Sequence, residues 1–554
     1  MIVEATRIDE HPGFFARHDD WLYVAVPDCE ILSRCDVEQT LAVARHVGDC
    51  LQLNMGFVPD KYRAPLAVPM SFIMFNREPT KTLEAVIPES SDWGPSIANF
   101  GGYFPPTHSF EGGVNTGDAD THCTVQNRAG KRWMWGGGGS RGPIPRGTIF
   151  LLSRCAPSLP LWYQYGFDGG SCCLQRMIGL NGGLIIAKAL WISEEETEKI
   201  LAEARRTRTL PKLPPIEELF SNWGGADGGN SATRLTPAWL AEAALFLRWG
   251  LFGESESQIH RRAFSTFVER SRVEPVTEGL FRECFGFGFA EMQTRLSSYL
   301  IDAANEPICV DYQTIRHYPG YRDSDHPPFP TLDTREATPA EIARLLGDWE
   351  RMQGNDLRSS NPALSQVYLN QAGKSLHKCY AKGERDPRFV AVLGLYDYDV
   401  GDIAEARSML VAAVKSNVLR PAAYIDLAQI NLDEAKSHPG AANGKLSAQQ
   451  VAAVLKPLFA VRKKTRLDAK GYLLIAEAWS NSAERPVLAN LEALNEGIRL
   501  YPFDSALILS SATTFAHCGY ETEAMSLIEN KLRFADIATA KQLEHLKTSL
   551  NIAR

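Results

Sequence analysis

No stretch of about 18 consecutive apolar residues occurs anywhere in the 554 residues, so no membrane-spanning helix is expected. The opening MIVEATRIDEHPGFF has no basic region followed by an apolar core, so no secretory leader is expected in the chain. An exported form whose leader has been removed stays open, and the compartment is unassigned. There is no C-x-x-C. The eleven cysteines, an odd count, are scattered at positions such as Cys29, Cys50, Cys155, Cys284 and Cys518, and Cys172 and Cys173 are the one adjacent pair. Zinc ribbons and dithiol redox motifs are therefore not expected. Buried or half-buried free thiols are, with one or two disulfides in an exported form as the alternative. The string G-x-S-x-G occurs at Gly138-Gly139-Ser140-Arg141-Gly142, but inside a glycine run in a loop-rich stretch rather than between a strand and a helix, so no nucleophile elbow is expected there; a recognisable cysteine-protease signature is missing. So is any excess of positive charge: the formal net charge of -8 speaks against a general binder of nucleic acid or anionic membrane, because the average field attracts neither.

What is present is an ordinary globular composition, 44% hydrophobic and 22% charged, with apolar material for about two to four domains. WLYVAV at 21–26 reads as a strand, DVEQTLAVARHVGDCLQLNMGF from Asp36 as a helix with a ready cap, and LAVPMSFIMF as a second strand. Residues 88–145 are rich in Gly and Pro and end in WMWGGGGSRGPIP. After a short helix-like segment, PRGTIFLLSRC, residues 184–205 and 236–300 read as helical with a break at 252–260. Pro and charge density rise over 308–338, as in a linker. TPAEIARLLGDWERM then opens a helix: Thr338 can cap, Pro339 sits where no N–H is needed, and Glu341 follows three residues after the cap.

Beyond residue 363 the chain reads as helix pairs. In VAVLGLYDYDVGDIAEARSMLVAAV, Gly394 is followed by Ala406, Leu410 and Ala413, with a proline at 421. A similar spacing of small residues recurs at Ala476, Ala489 and Pro502, and at Ala512, Gly519 and Ala524. This ladder resembles that of tetratricopeptide (TPR) repeats, in which small residues let the two helices of a hairpin approach closely. KSHPGAANGKLSAQQ, 436–450, interrupts the pattern as an insertion.

LPLWYQYGFDGG, 159–170, carries Pro160, Trp162 and Gly166 at the spacing of a P-x-W-x-x-E-G motif, and the order of elements over 15–300 supports the same comparison. A GGYF turn (Gly101 to Phe104) precedes the motif, and TEGLFRECFGFGFAEMQTRLSSYL, 277–300, comes after it in a helical lobe. Together these resemble the peptidase MA-like gluzincins that are often fused to TPR repeats in bacteria. The resemblance implies an α+β gluzincin-like N-terminal domain followed by an all-α TPR-like helical solenoid. The expected divisions are an α+β subdomain at 1–144, a helical lobe at 145–307, a linker and connecting helix at 308–362, and repeats at 363–554.

The family's zinc site is what this chain departs from. HExxH, two His one helical turn apart around a base, is absent, and no His lies between His122 and His260. Aligning LPLW places Arg146 at the first His, Gly147 at the base, Phe150 at the second His and Tyr165 at the third ligand. A guanidinium repels Zn2+, Gly and Phe offer no donor, and a neutral phenol is a poor ligand. Trp162 and Gly166 are then expected to serve packing alone. Displaced metal ligands would have to come from His108, His122 and Cys123, or from His317, Asp323, Asp325 and His326, and neither spacing is diagnostic. WGGGGSRGP lacks the Lys and Ser/Thr of a phosphate loop and is expected to be a plain loop, with Trp133, Met134 and Trp135 packing nearby. The expectation is a noncatalytic protein-binding or scaffold protein with no metal or other cofactor. Its partner would be a protein or extended peptide, not nucleic acid; the alternative is a divergent zinc metallopeptidase with displaced ligands.

Overall fold

The computed structural model describes residues 21–26, 28–34, 37, 40, 41, 44, 58–62, 66–76, 97–98, 110–115, 122–126, 156–166, 174–176, 184–186, 188–221, 236–253, 258–305, 308–310, 332–532 and 537–553. β1 (Leu22–Val26) and β2 (Cys29–Ser33) form an antiparallel hairpin with Val26 opposite Cys29. Asp28, in its tight turn, has φ 59°, a left-handed conformation that Asp tolerates better than most residues. β3 (Met70–Asn76) runs parallel to β2. Parallel neighbours need a crossover, and residues 37, 40, 41 and 44 between them are helical, in the strand, helix, strand order the sequence suggests. β4 (Ile97–Ala98), β5 (Phe110–Asn115) and β6 (His122–Gln126) extend the sheet, β5 pairing with β3 and β6.

A second, three-stranded antiparallel sheet joins β7 (Leu174–Arg176), β8 (Leu184–Ile186) and β9 (Ile308–Val310). β10 (Arg335–Glu336) pairs with β1 at the edge of the large sheet. The stretch 308–338, expected to be a linker, therefore supplies one strand to each sheet. Residues 184–186, expected to be helical, are a strand. A run as short as Leu-Ile-Ile carries no usable period, and its β-branched residues favour extended backbone.

The helices of the middle region are α1 (Leu161–Gly166), α2 (Glu194–Thr207), α3 (Ile216–Ser221), α4 (Pro237–Phe252), α5 (Gln258–Arg270), α6 (Glu278–Phe285) and α7 (Phe289–Asn305). α4, PAWLAEAALFLRWGLF, is apolar on almost every side and is buried continuously from Trp239 to Phe252, as a helix without a polar face must be. Thr236 caps it by accepting from the Trp239 amide.

The C-terminal region is mainly helical. α8 (Pro339–Leu357) starts with the capping box expected from Thr338 and Glu341. It is shared between the large sheet and the C-terminal helices. Its Ile342, Leu345, Leu346 and Trp349 pack on Trp21, Tyr23, Leu32 and Ile73 of the sheet, and its opposite side packs on the two helices C-terminal to it. Those are α9 (Pro362–Ala381) and α10 (Pro387–Val400), and the chain continues through α11 (Ile403–Lys415), α12 (Pro421–Ser437), α13 (Ala448–Arg462), α14 (Ala469–Ser480), α15 (Leu488–Leu500), α16 (Ser505–His517), α17 (Glu521–Lys531) and α18 (Ile537–Ala553). Successive pairs α8/α9, α10/α11, α12/α13, α14/α15 and α16/α17 pack as hairpins. The first helix of each packs on the first helix of the next, ending with α16 on α18, around one apolar core.

Several bonds between adjacent hairpins join residues 34 positions apart. Arg462 meets Glu496, the Tyr501 hydroxyl donates to the Leu467 carbonyl, and Ser480 meets Thr514. Arg485 reaches the Gly519 carbonyl, and the Tyr520 hydroxyl donates to the Pro486 carbonyl. The insertion is ordered as well. Asn443 and Gly444 turn it with φ of 62° and 69°, and Leu446 pairs with the next hairpin's turn, donating to the Asn481 carbonyl at 2.8 Å and accepting from the Ala483 amide at 2.9 Å.

Gly394 is buried where any Cβ would lie 3.0 Å from Leu410, and Ala406, Ala413 and Ala524 are fully buried. Ala489 is not: it is exposed in the first turn of α15, and Leu491, Ala493 and Gly497 face the core there instead. The reason is turn length. Residues 481–487 separate α14 from α15, whereas only 401–402 separate α10 from α11, so a fixed spacing from the first helix lands too early on the second.

Replacing Ala406 by Phe should therefore overpack the α10–α11 contact and cost roughly 1–3 kcal/mol. The same change at Ala489 should stay within about 0.5 kcal/mol. Urea denaturation of the two variants checks the contrast, and equal losses would contradict this packing.

Candidate functional site

α1 is built from the Pro-Trp-Gly motif and works as an aromatic plug. Pro160 opens it, its carbonyl accepting from the Tyr163 and Gln164 amides, and the Gln164 side chain donates to the Leu159 carbonyl at 2.7 Å. Trp162, 3% exposed, lies edge-on to Tyr163, Phe220, Phe246 and Phe264 with ring centroids 5.1 to 6.0 Å away. Its indole N–H has no hydrogen-bond partner among the described residues, so the ring is held by packing. Gly166 lies against α4, where a Cβ would fall 2.9 Å from the Leu247 side chain and 3.0 Å from the Ala243 carbonyl oxygen. Only glycine lets α1 approach this closely.

Tyr165, where the resemblance would expect a third metal ligand, is half-buried and edge-on to Trp239 of α4, 6.1 Å between ring centroids. Arg146, Gly147, Phe150 and His108 lie outside the described residues, as do Gly101 to Phe104, Trp133 to Trp135, His317, Asp323, Asp325 and His326. His122 and Cys123 are the first two residues of β6, opposite Asn115 and Val114 of β5. Among the described residues no three His, Cys, Asp or Glu side chains are grouped to hold a metal ion.

Two acids stand out that sequence reasoning missed. Glu242 lies one turn beyond Trp239 on α4 and is 1% exposed. Burial, followed by the charges of Glu218 and Glu217 on α3, pushes its pKa up to about 8, against a weaker opposing effect of the nearby Gln293 side chain. Glu350 on α8 is 3% exposed, and burial alone pushes it to about 8; its Oε2 has no partner among the described residues. Both hold a proton at neutral pH and can donate a hydrogen bond but carry no charge. An acid inside an otherwise apolar stripe, as in LAEAALF, is the signal that points to Glu242.

A third group is fully ionised and joins the sheet to the hairpins. Glu30 on β2 accepts from Arg344 of α8 at 2.7 Å and from Arg388 of α10. Burial would raise its pKa, and the two guanidiniums outweigh burial and hold it below the ordinary carboxylate value. Asp348 of α8 is likewise buried and is held low by Arg420, 2.7 Å away, and Arg351. Arg351 also reaches Asp399 of α10 at 2.6 Å, where Asn355 donates as well. These charges are paired with one another, which suits registration of helices rather than catalysis.

No protein-family model, curated protein or solved structure matches the chain.

The two protonated acids set a pH dependence. Below their ordinary pKa of 4.5 the folded and unfolded chains both keep the protons. As pH rises the unfolded carboxyls ionise while the buried ones resist until about 8, so stability falls across that window and levels off above it. Each tenfold difference in proton affinity is worth roughly 1.4 kcal/mol. Urea denaturation of E242Q/E350Q should show a much flatter decline from pH 4.5 to 8. An unchanged slope would place the protons elsewhere.

Proposed function

We propose that this chain is a noncatalytic protein-binding or scaffold protein, formed from a gluzincin-like domain that has lost its zinc chemistry and a TPR-like solenoid. The observation that carries the repeat reading is the set of bonds at a constant separation of 34 residues from Arg462 to Tyr520, together with first helices that pack successively on one another. Stacks of this kind expose long surfaces that take protein or extended-peptide partners.

Support for lost catalysis comes from α1. Trp162 and Gly166 keep their packing places, whereas position 165, which would present a carboxylate in an active relative, holds a phenol packed on Trp239. In the alignment, Arg146, Gly147 and Phe150 supply neither a donor for Zn2+ nor a base for water, so several independent replacements would be needed to restore a site.

Purified protein should carry well under one zinc per chain by elemental analysis and show no chelator-sensitive cleavage of peptide libraries or unfolded protein. One tightly held zinc per chain, with cleavage that a chelator abolishes, would favour displaced ligands, and His108, His122 and Cys123 would be the first to substitute.

A further inference from the structure

The seam between the middle helices and the hairpins gathers positive charge around one buried ring. Tyr62, 8% exposed, ends the short 3-10 turn Asp60–Tyr62. The Arg272 guanidinium, just past α5, lies 4.0 Å from its ring centroid and the Lys61 ammonium 5.0 Å. Arg466, in the turn between α13 and α14, donates to the Tyr62 carbonyl oxygen at 3.3 Å. The same turn exposes Lys463 and Lys464, and Lys464 donates to Asn417 at 2.7 Å. Lys531, at the end of α17, is close enough to Arg272 that burial and then this neighbouring charge pull its pKa down to about 8. Glu269 answers Lys61 at 2.5 Å, and Arg272 donates to the Ser158 carbonyl at 2.9 Å. A run such as RKKTR is ordinarily a solvated edge. Convergence of cations from four separate segments, in a chain of net charge -8, asks for more than solvation.

We propose that this basic seam docks a short acidic peptide segment of a partner protein. The proposal rests on the protein-binding reading above and specifies the chemistry of the partner. A carboxylate can be gripped by the Arg272 guanidinium, whose Nε is held by the Ser158 carbonyl, with Lys463 and Lys464 of the turn that carries Arg466 as flexible point charges. Nucleic acid fits poorly, because Tyr62 is buried under Arg272 and Lys61 and offers no face for a base to stack on. A long polyanion would also meet the repulsion of the whole chain.

The test uses the full chain and a short fluorescent poly-glutamate peptide, followed by anisotropy. Saturable binding is expected at low salt, with loss at about 1 M salt, where charges are screened within roughly 3 Å. K463E/K464E changes two exposed side chains and should weaken binding about tenfold or more, with an unchanged melting curve. K378E/K382E makes the same charge change on and just after α9, at exposed positions away from the seam, and should bind as wild type. Equal binding by K463E/K464E, no saturable binding, equal loss in both variants, or tighter binding of a single-stranded oligonucleotide of matched charge would each overturn the proposal. Zinc content and peptidase activity are read independently, so a failed peptide assay with zinc-free protein removes the acidic partner and leaves the noncatalytic reading intact.

Discussion

A carboxylate on the second strand governs how the two halves of the described structure meet. β2 is buried at every position, so Glu30 could not remain charged there without cations brought to it. α8 supplies Arg344 and α10 supplies Arg388. A slip of one residue in β2 would turn Glu30 to the opposite face of the sheet, so the strand register and the placement of two helices are set together. From α8 the same device is repeated outward: Arg351 finds Asp399 on α10, and Asp348 finds Arg420 at the start of α12. Buried ion pairs are weak sources of net stability, but a mismatched one is costly, and this makes them good indices of register.

The apolar groups fill in what the charges index. α8 has almost no free side, with sheet residues on one flank and α9 and α10 on the other. A helix in that position has to satisfy two neighbours of different geometry. It does so with Trp349 and a line of aliphatic residues toward the sheet, and with glycines where α9 comes close. A Cβ on Gly347 or Gly354 would fall 2.7 Å from Leu376 or Leu369. The aromatic plug of α1 follows the same logic around Trp162: large rings interlocked with one obligatory glycine. Such packing is costly to change, because a buried tryptophan surrounded by phenylalanines has no cheap replacement.

Legibility in the sequence followed the strength of the local signal. WLYVAV and MSFIMF alternate or branch strongly enough to read as strands, and the Thr338-Pro339-Glu341 start is specified by three adjacent residues whose roles are independent of the rest of the chain. The helix pairs beyond residue 363 were readable because small residues recur where two helices touch. What failed depended on distant partners. Leu184–Ile186 becomes a strand through β7 and β9, the latter more than a hundred residues away, and Ala489 was misplaced because a turn length cannot be read from a spacing that assumes it. Glu30, Glu242 and Glu350 look alike in sequence. One is charged and two are neutral only because arginines reach the first and none balances the others. The seam at Tyr62 was invisible for the same reason, since its cations come from segments that only the fold brings together.

The backbone stitch between Leu446 and residues 481–483 bears on how the array comes apart. A stack in which each hairpin touches only its neighbours behaves as a one-dimensional chain of coupled units, able to fray from an end one unit at a time. Adding two main-chain bonds between the α12/α13 and α14/α15 hairpins raises the coupling at a single junction. Opening of the α14/α15 hairpin has to break those two bonds as well as the side-chain packing, so fraying that starts at α18 meets added backbone resistance there.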